Sequence, residues 1–138
     1  MECIRVTKDN MDELKMLQLG YKQEIGEDTP TDENFDSLCE AISKGQIFYG
    51  CIDEGRLIAC CSITPTYSTF NYQIGGVFED FYIVLEYRHK GIARHLVGFA
   101  YRESGVGSLT VGCAGCDIKM YQSLGFTTPL GNLLAFEG

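Results

Sequence analysis

One stretch of the chain concentrates residue types that chemistry uses: Glu79-Asp80-Phe81-Tyr82-Ile83-Val84-Leu85-Glu86-Tyr87-Arg88-His89-Lys90-Gly91-Ile92-Ala93-Arg94. It reads as an apolar strand carrying two adjacent carboxylates, then a short polar turn, then the start of a helix. At a helix start the first N–H groups lack intrahelical partners and share the positive end of the macrodipole, so they bind phosphate oxygens well. Gly91 and the small Ala93 would let a diphosphate approach the backbone, and Arg88, Lys90, Arg94 and His95 add positive character to a chain of net charge −8. On this turn alone, a plain strand-turn-helix with a solvated basic face is the simpler reading. Glu79 and Asp80 are either proton acceptors or members of an ion pair, and strand alternation predicts that they point to opposite faces.

Cys113-Ala114-Gly115-Cys116 offers a different chemistry, a thiol redox pair or half of a zinc site. A closed zinc site needs two more ligands. Cys60 and Cys61 are adjacent, and both histidines, His89 and His95, fall in the phosphate turn and its helix. No metal is therefore expected. The seven cysteines are odd in number and irregularly spaced, which favours reduced thiols over a disulfide framework.

The elements that must position these residues follow from periodicity. Cys3 to Val6 reads as an opening strand, and Asp9 or Asn10 as a cap for a helix carrying Met11, Leu14, Leu17 and Tyr21. After a turn-rich acidic break from Gly26 to Thr31, Thr29-Pro30 opens a second helix with Phe35, Leu38, Cys39 and Ile42 at helical spacing and Gly45 beyond its end. Gln46 to Ile52 and Arg56 to Thr64 form a hairpin about Asp53-Glu54-Gly55. Pro65 to Gly76 reads as a loop that could hold a strand end, and Val77 to Val84 as a strand. Gly91 to Ser104 is the clearest amphipathic helix, with Ile92, Leu96, Val97, Phe99 and Ala100 inward. Ser108 to Val111 is a strand, Asp117 to Leu124 a short helix ended by Gly125, and Leu133 to Phe136 a closing strand. This order predicts an α/β (α+β) fold, a mixed, mostly antiparallel sheet of six to seven strands flanked by helices.

With its neighbours in place, the phosphate turn resembles a signature of the GNAT N-acetyltransferase superfamily. Arg88-x-x-Gly91-x-Ala93 matches the family's Arg/Gln-x-x-Gly-x-Gly/Ala pattern after a strand ending in aromatic and aliphatic residues. Lys119-Met120-Tyr121-Gln122-Ser123-Leu124-Gly125-Phe126 matches its Tyr-x-x-x-Gly-Phe segment in the right order. The resemblance covers nearly the whole chain, strongly from Val77 to Phe126 and loosely before that.

The resemblance implies the GNAT fold and an enzyme that moves an acetyl group from the cosubstrate acetyl-coenzyme A to an amine by direct attack. It places the pantetheine against the backbone of Phe81, Tyr82 and Ile83. The diphosphate falls on the turn Arg88, His89, Lys90, Gly91, Ile92, Ala93 and Arg94. The attacking amine must lose a proton, for which Glu79 is the first candidate and Asp80 the second. A backbone N–H near Phe81 or Tyr82 would serve the oxyanion, and Tyr121 would protonate the departing thiolate. Tyr121 otherwise packs on the sheet. Family members often carry Asn seven residues before that tyrosine and a small residue four before it. Ala114 and Asp117 stand there in this chain, a departure on the thiol side.

At 138 residues, 45% hydrophobic and 22% charged, the chain fits one domain, 1–138, with an ordinary globular composition. No apolar run approaches a membrane span and no leader peptide is readable, so a soluble, cytoplasmic protein is expected. Net negative charge disfavours nucleic acid, whose affinity rests on Lys and Arg neutralising phosphates. The acidic run Glu24, Glu27, Asp28, Asp32, Glu33, Asp36 and Glu40 reads first as a solvated face. By the resemblance it borders the acceptor pocket, where it would attract a cationic amine. Tyr67, Phe70, Tyr72 and Phe78 could line the same pocket, although such aromatics more often belong to the core. A small-molecule amine is the favoured acceptor. The alternatives are a peptide or protein amino group, a coenzyme A sensor without turnover, and a thiol redox protein using Cys113 and Cys116. Edge-strand pairing in the family makes a homodimer plausible by resemblance.

Overall fold

The computed structural model describes residues 1–45 and 47–138. One five-stranded sheet runs β1 (Glu2–Arg5), β2 (Ile47–Asp53), β3 (Arg56–Ser68), β4 (Gln73–Ile83) and β5 (Leu109–Val111), in that spatial order. The first four strands are antiparallel and β5 joins β4 in parallel. Helices α1 (Met11–Ile25) and α2 (Asp32–Ser43) cover one face, and α3 (Ile92–Ser104) and α4 (Ile118–Ser123) the other. The mixed, mostly antiparallel sheet between helices is the predicted class. Gln46, the first residue of the second predicted strand, lies outside the described residues.

Local chemistry explains the boundaries. Thr7 and Asn10 form a capping box ahead of α1, and Thr31 and Asn34 form another that starts α2 at Asp32 rather than at Thr29-Pro30. At the end of α1, Gly26 adopts φ 73° and the amides of Gly26 and Glu27 return to the carbonyls of Gln23 and Lys22, a Schellman ending. Leu14, Leu17, Phe48, Leu57 and Cys60 bury between α1 and the sheet. Leu96, Ala100, Phe78, Ile63 and Cys61 do so beneath α3.

Two sequence expectations are corrected. The segment Pro65 to Gly76 is mostly strand: Pro65 pairs with Gly76 and Ser68 with Gln73, so only Thr69 to Tyr72 turns. Pro and Gly read as breakers there, yet glycine at 76 serves close packing, since a Cβ on it would sit 2.6 Å from Ile63 Cγ2. Leu133 to Phe136 is not a strand, and among the described residues the sheet has five strands rather than six or seven. A strand needs a partner for its N–H and C=O groups. β5 offers only three residues, and the side chains of Leu133, Leu134 and Phe136 stay exposed.

Candidate functional site

The predicted carboxylates lie at a break in the β3–β4 ladder. Ser62 pairs with Glu79 and Cys60 with Tyr82, so Cys61 on β3 faces two residues, Asp80 and Phe81, on β4. This is a β-bulge, and Asp80 takes φ 56° within it. The extra residue resets alternation. Ladder partners project to the same face, so Glu79 shares the side of Ser62. Asp80 shares it too, because its Oδ2 accepts a 2.8 Å hydrogen bond from Ser62 Oγ. The expectation that Glu79 and Asp80 point to opposite faces is thereby overturned. They differ in burial instead: Glu79 is exposed, while Asp80 is half-buried.

The charge of Asp80 reaches Tyr21 on α1. Burial first, and the Asp80 charge second, push its hydroxyl above the ordinary 10.0. The Tyr21 and Tyr82 rings meet edge to face, 6.3 Å apart. Tyr82 in turn fits only because α1 carries a glycine at 20, where a Cβ would lie 2.6 Å from the Tyr82 hydroxyl oxygen. Sequence periodicity placed Tyr21 on the inner face of its helix, but nothing in the chain order linked it, or Ser62, to Asp80.

Beyond Phe78 the sheet opens. β5 pairs with β4 only at Gly76, Val77 and Phe78, so the β5-facing edge of β4 from Glu79 to Ile83 has no strand against it among the described residues. Phe81 projects under this opening into an aromatic group with Phe78, Tyr121 and Phe126, whose centroids lie 5.4 to 6.4 Å apart. The Tyr-x-x-x-Gly-Phe spacing has a physical cause. Gly125, at φ 110°, ends α4 in a Schellman motif in which Phe126 N–H donates to Tyr121 O and Gly125 N–H to Gln122 O, folding Phe126 back onto the tyrosine. Burial, reinforced by Tyr21, Asp117 and Cys113, pushes the Tyr121 hydroxyl up to about 12. Asp117, one of the departures from the family pattern, thus acts on Tyr121 by charge. Ala114 is exposed, and Cys113 and Cys116 are exposed free thiols.

The turn after β4 ends at Gly91, the N-cap of α3, with φ 80° and open space where a Cβ would project. His89 also has positive φ, 61°. Unlike α2, α3 begins with no side-chain cap and no acidic residue in its first turn. The amides of Ile92, Ala93 and Arg94 are therefore left for an anion from outside the chain. Lys90 and His95 are exposed beside them. Arg88 does something else. Its Nε donates to Ile83 O at 2.8 Å, its terminal nitrogens donate to both Glu24 oxygens at 2.6 and 2.8 Å, and its amide donates to Leu85 O. This arginine ties the end of α1 to the turn. Arg94 similarly reaches Ser123 O at 2.6 Å, docking α4 against the start of α3. The residues present fit a coenzyme A diphosphate through backbone amides and Lys90 rather than through the Arg88 side chain.

Comparison with known proteins agrees with this geometry. A family model described as an acetyltransferase (GNAT) domain matches residues 44–128. A crystal structure of a probable acetyltransferase superposes with a TM-score of 0.85 at 21% identity, over 100% of this chain and 99% of that one. Glucosamine-6-phosphate N-acetyltransferase from Arabidopsis thaliana gives 0.75 at 19% identity, over 98% and 97%. A predicted acetyltransferase from Clostridium acetobutylicum, crystallised with acetyl-CoA, gives 0.79 at 13% identity, over 99% and 95%. No curated protein matches the sequence significantly. The chain, matched by the family model over more than half its length, belongs to the GNAT acetyltransferase family.

Proposed function

We propose that the chain transfers an acetyl group from acetyl-coenzyme A to a primary amine of a small-molecule acceptor by direct attack, with Asp80 accepting the amine proton. The observation that carries this reading is the bulge, which holds a half-buried carboxylate against Ser62 at the point where β4 loses its β5 partner. A small acceptor is supported by the Arabidopsis relative, whose name specifies glucosamine-6-phosphate.

Coenzyme A, when bound, supplies the thioester. The open edge of β4 from Glu79 to Ile83 offers backbone groups to an extended amide-bearing arm, and the uncapped start of α3 holds the diphosphate. Asp80 takes the proton directly or through water. A backbone N–H near Phe81 or Tyr82 meets the developing oxyanion. Tyr121, whose hydroxyl is held protonated well above neutrality, donates to the departing sulfur. Glu79, exposed at the mouth of the bulge, serves the approach of a cationic acceptor.

The test is amine-dependent release of the coenzyme A thiol across a panel of primary amines, with Asp80→Asn beside the wild type. Release that needs an amine and falls steeply in Asp80→Asn supports the reading. Undiminished release in the variant would remove Asp80 as the base.

A further inference from the structure

Cys3, Cys51 and Cys61 share one face of the sheet, on three adjacent strands. Cys3 on β1 pairs directly with Cys51 on β2, and Cys61 on β3 stands diagonally from Cys51, two residues beyond its ladder partner Ala59. The direct pairing is the close kind. Val6 N–H donates to Phe48 O at 2.9 Å, which marks Val6 and Phe48 as a hydrogen-bonded pair of the β1–β2 ladder. Such pairs alternate with non-hydrogen-bonded ones, so Ile4 and Gly50 are bonded and Cys3 and Cys51 are not. Residues opposite each other at a non-hydrogen-bonded position have Cα atoms about 4.5 Å apart, within the span of roughly 4.4–6.8 Å that a disulfide bridges. The side chains use that closeness: the two Sγ atoms are 3.0 Å apart, and both thiols are free. A diagonal neighbour such as Cys61 lies about 7–8 Å off, out of bridging range. Cys60 belongs to the core on the opposite face, beneath α1.

The two thiols differ in access. Cys3 is half-buried on the outermost strand of the sheet, whereas Cys51 is 0% exposed. A reagent from solution therefore meets Cys3 first. Burial, and then the hydrogen bond with Cys3, push the Cys51 thiol up, which suits it to the second step rather than the first.

We propose that Cys3 and Cys51 are a reversible thiol–disulfide pair, oxidised by a small-molecule disulfide of the glutathione type, and that its closure staples the edge strand β1 to β2. The Cys3 thiolate attacks one sulfur of the small disulfide, forming a mixed disulfide and expelling one thiolate. Cys51 gives its proton to water and attacks Cys3 Sγ, forming the Cys3–Cys51 bond and expelling the second thiolate. Two protein thiols are thereby oxidised, and one small disulfide is reduced to two thiols. The bond closes a loop spanning 48 residues that contains all of α1 and α2, so it restricts the unfolded chain strongly.

The experiment holds the full chain in glutathione buffers of increasing oxidised-to-reduced ratio, blocks free thiols with iodoacetamide and digests it with trypsin without reduction. Mass spectrometry then reads peptides 1–5 and 45–56, which carry Cys3 and Cys51 and no other cysteine. The expected result is a linked pair of these peptides that grows with the ratio and is abolished by dithiothreitol. The linked protein should melt about 5–15 °C above the reduced one. That shift should vanish in Cys3→Ser and in Cys51→Ala; the first changes a half-buried edge position, so a packing defect at 51 does not decide the outcome. Glutathione retained on Cys3 beside a free Cys51, a bond between Cys113 and Cys116 alone, or no linked pair at any ratio overturns the proposal. A linked pair that leaves the melting temperature unchanged overturns the staple as well.

Discussion

Asp80 and Glu79 are neighbours in sequence with unequal surroundings, and the proposed chemistry follows that difference. Asp80→Asn keeps the Ser62 contact but cannot accept a proton, so kcat should fall about 10²- to 10⁴-fold while acetyl-CoA affinity holds. Glu79→Gln, on an exposed side chain, should change kcat far less and act mainly on the acceptor KM. Steady-state kinetics on both variants checks the pair. Tyr121 gives a second prediction at this scale. With its hydroxyl pushed up to about 12, it stays protonated through pH 10, so an alkaline fall in rate below that pH belongs to another group. Tyr121→Phe should lower kcat while leaving the shape of the pH–rate profile unchanged. A lost alkaline limb in that variant would assign the limb to Tyr121. That both carboxylates lie on a strand and this tyrosine on a short helix was legible in the sequence. Their relative orientation was not, because period-2 alternation assumes an unbroken ladder and the bulge adds a residue on one strand only.

The strand-turn-helix from β4 to α3 was legible as an element, whereas the tie that its arginine side chain makes to Glu24 was not. Such a pair, 64 residues apart in sequence, leaves no local signal, and Glu24 read as one more member of a solvated acidic run. The Arg88 hydrogen bonds hold the Glu24 carboxyl below its ordinary 4.5. A carboxyl depressed in the folded state contributes stability that is full above that ordinary value and is lost as pH falls through the depressed one. The side chains are 28% and 48% exposed, so solvent limits the contribution to about 1 kcal/mol or less. Glu24→Gln should therefore lower stability slightly at pH 7 and by a vanishing amount near pH 3, as thermal melts at the two pH values would reveal. Gly91 carries φ 80°, which an alanine adopts at a cost of about 1–2 kcal/mol, so Gly91→Ala should destabilise by that much although nothing crowds its Cβ.

Across the whole molecule, the layered arrangement was legible because the helices carry apolar residues at their own period and the inner strands, buried on both faces, read as short apolar runs between turn signals. Leu96, fully buried under α3 against the sheet, should cost about 2–5 kcal/mol when replaced by alanine, measured by denaturant unfolding. The ends of the sheet were harder to read. The apolar run Leu133 to Phe136 has strand composition but finds no ladder, and the Pro65 to Gly76 segment has breaker composition but pairs throughout most of its length. In both, pairing depends on what lies alongside, which local composition does not encode. The proposed transfer requires the open edge of β4, the bulge and the uncapped start of α3 to serve together as one track for acetyl-CoA. Isothermal titration with acetyl-CoA, beside Gly91→Glu checked for folding by circular dichroism, tests it most directly. The account predicts saturable binding by the wild type that the folded variant loses, because a negative side chain would project into the space at the diphosphate turn. Absence of binding by folded wild-type protein, or equal binding by the variant, would contradict it.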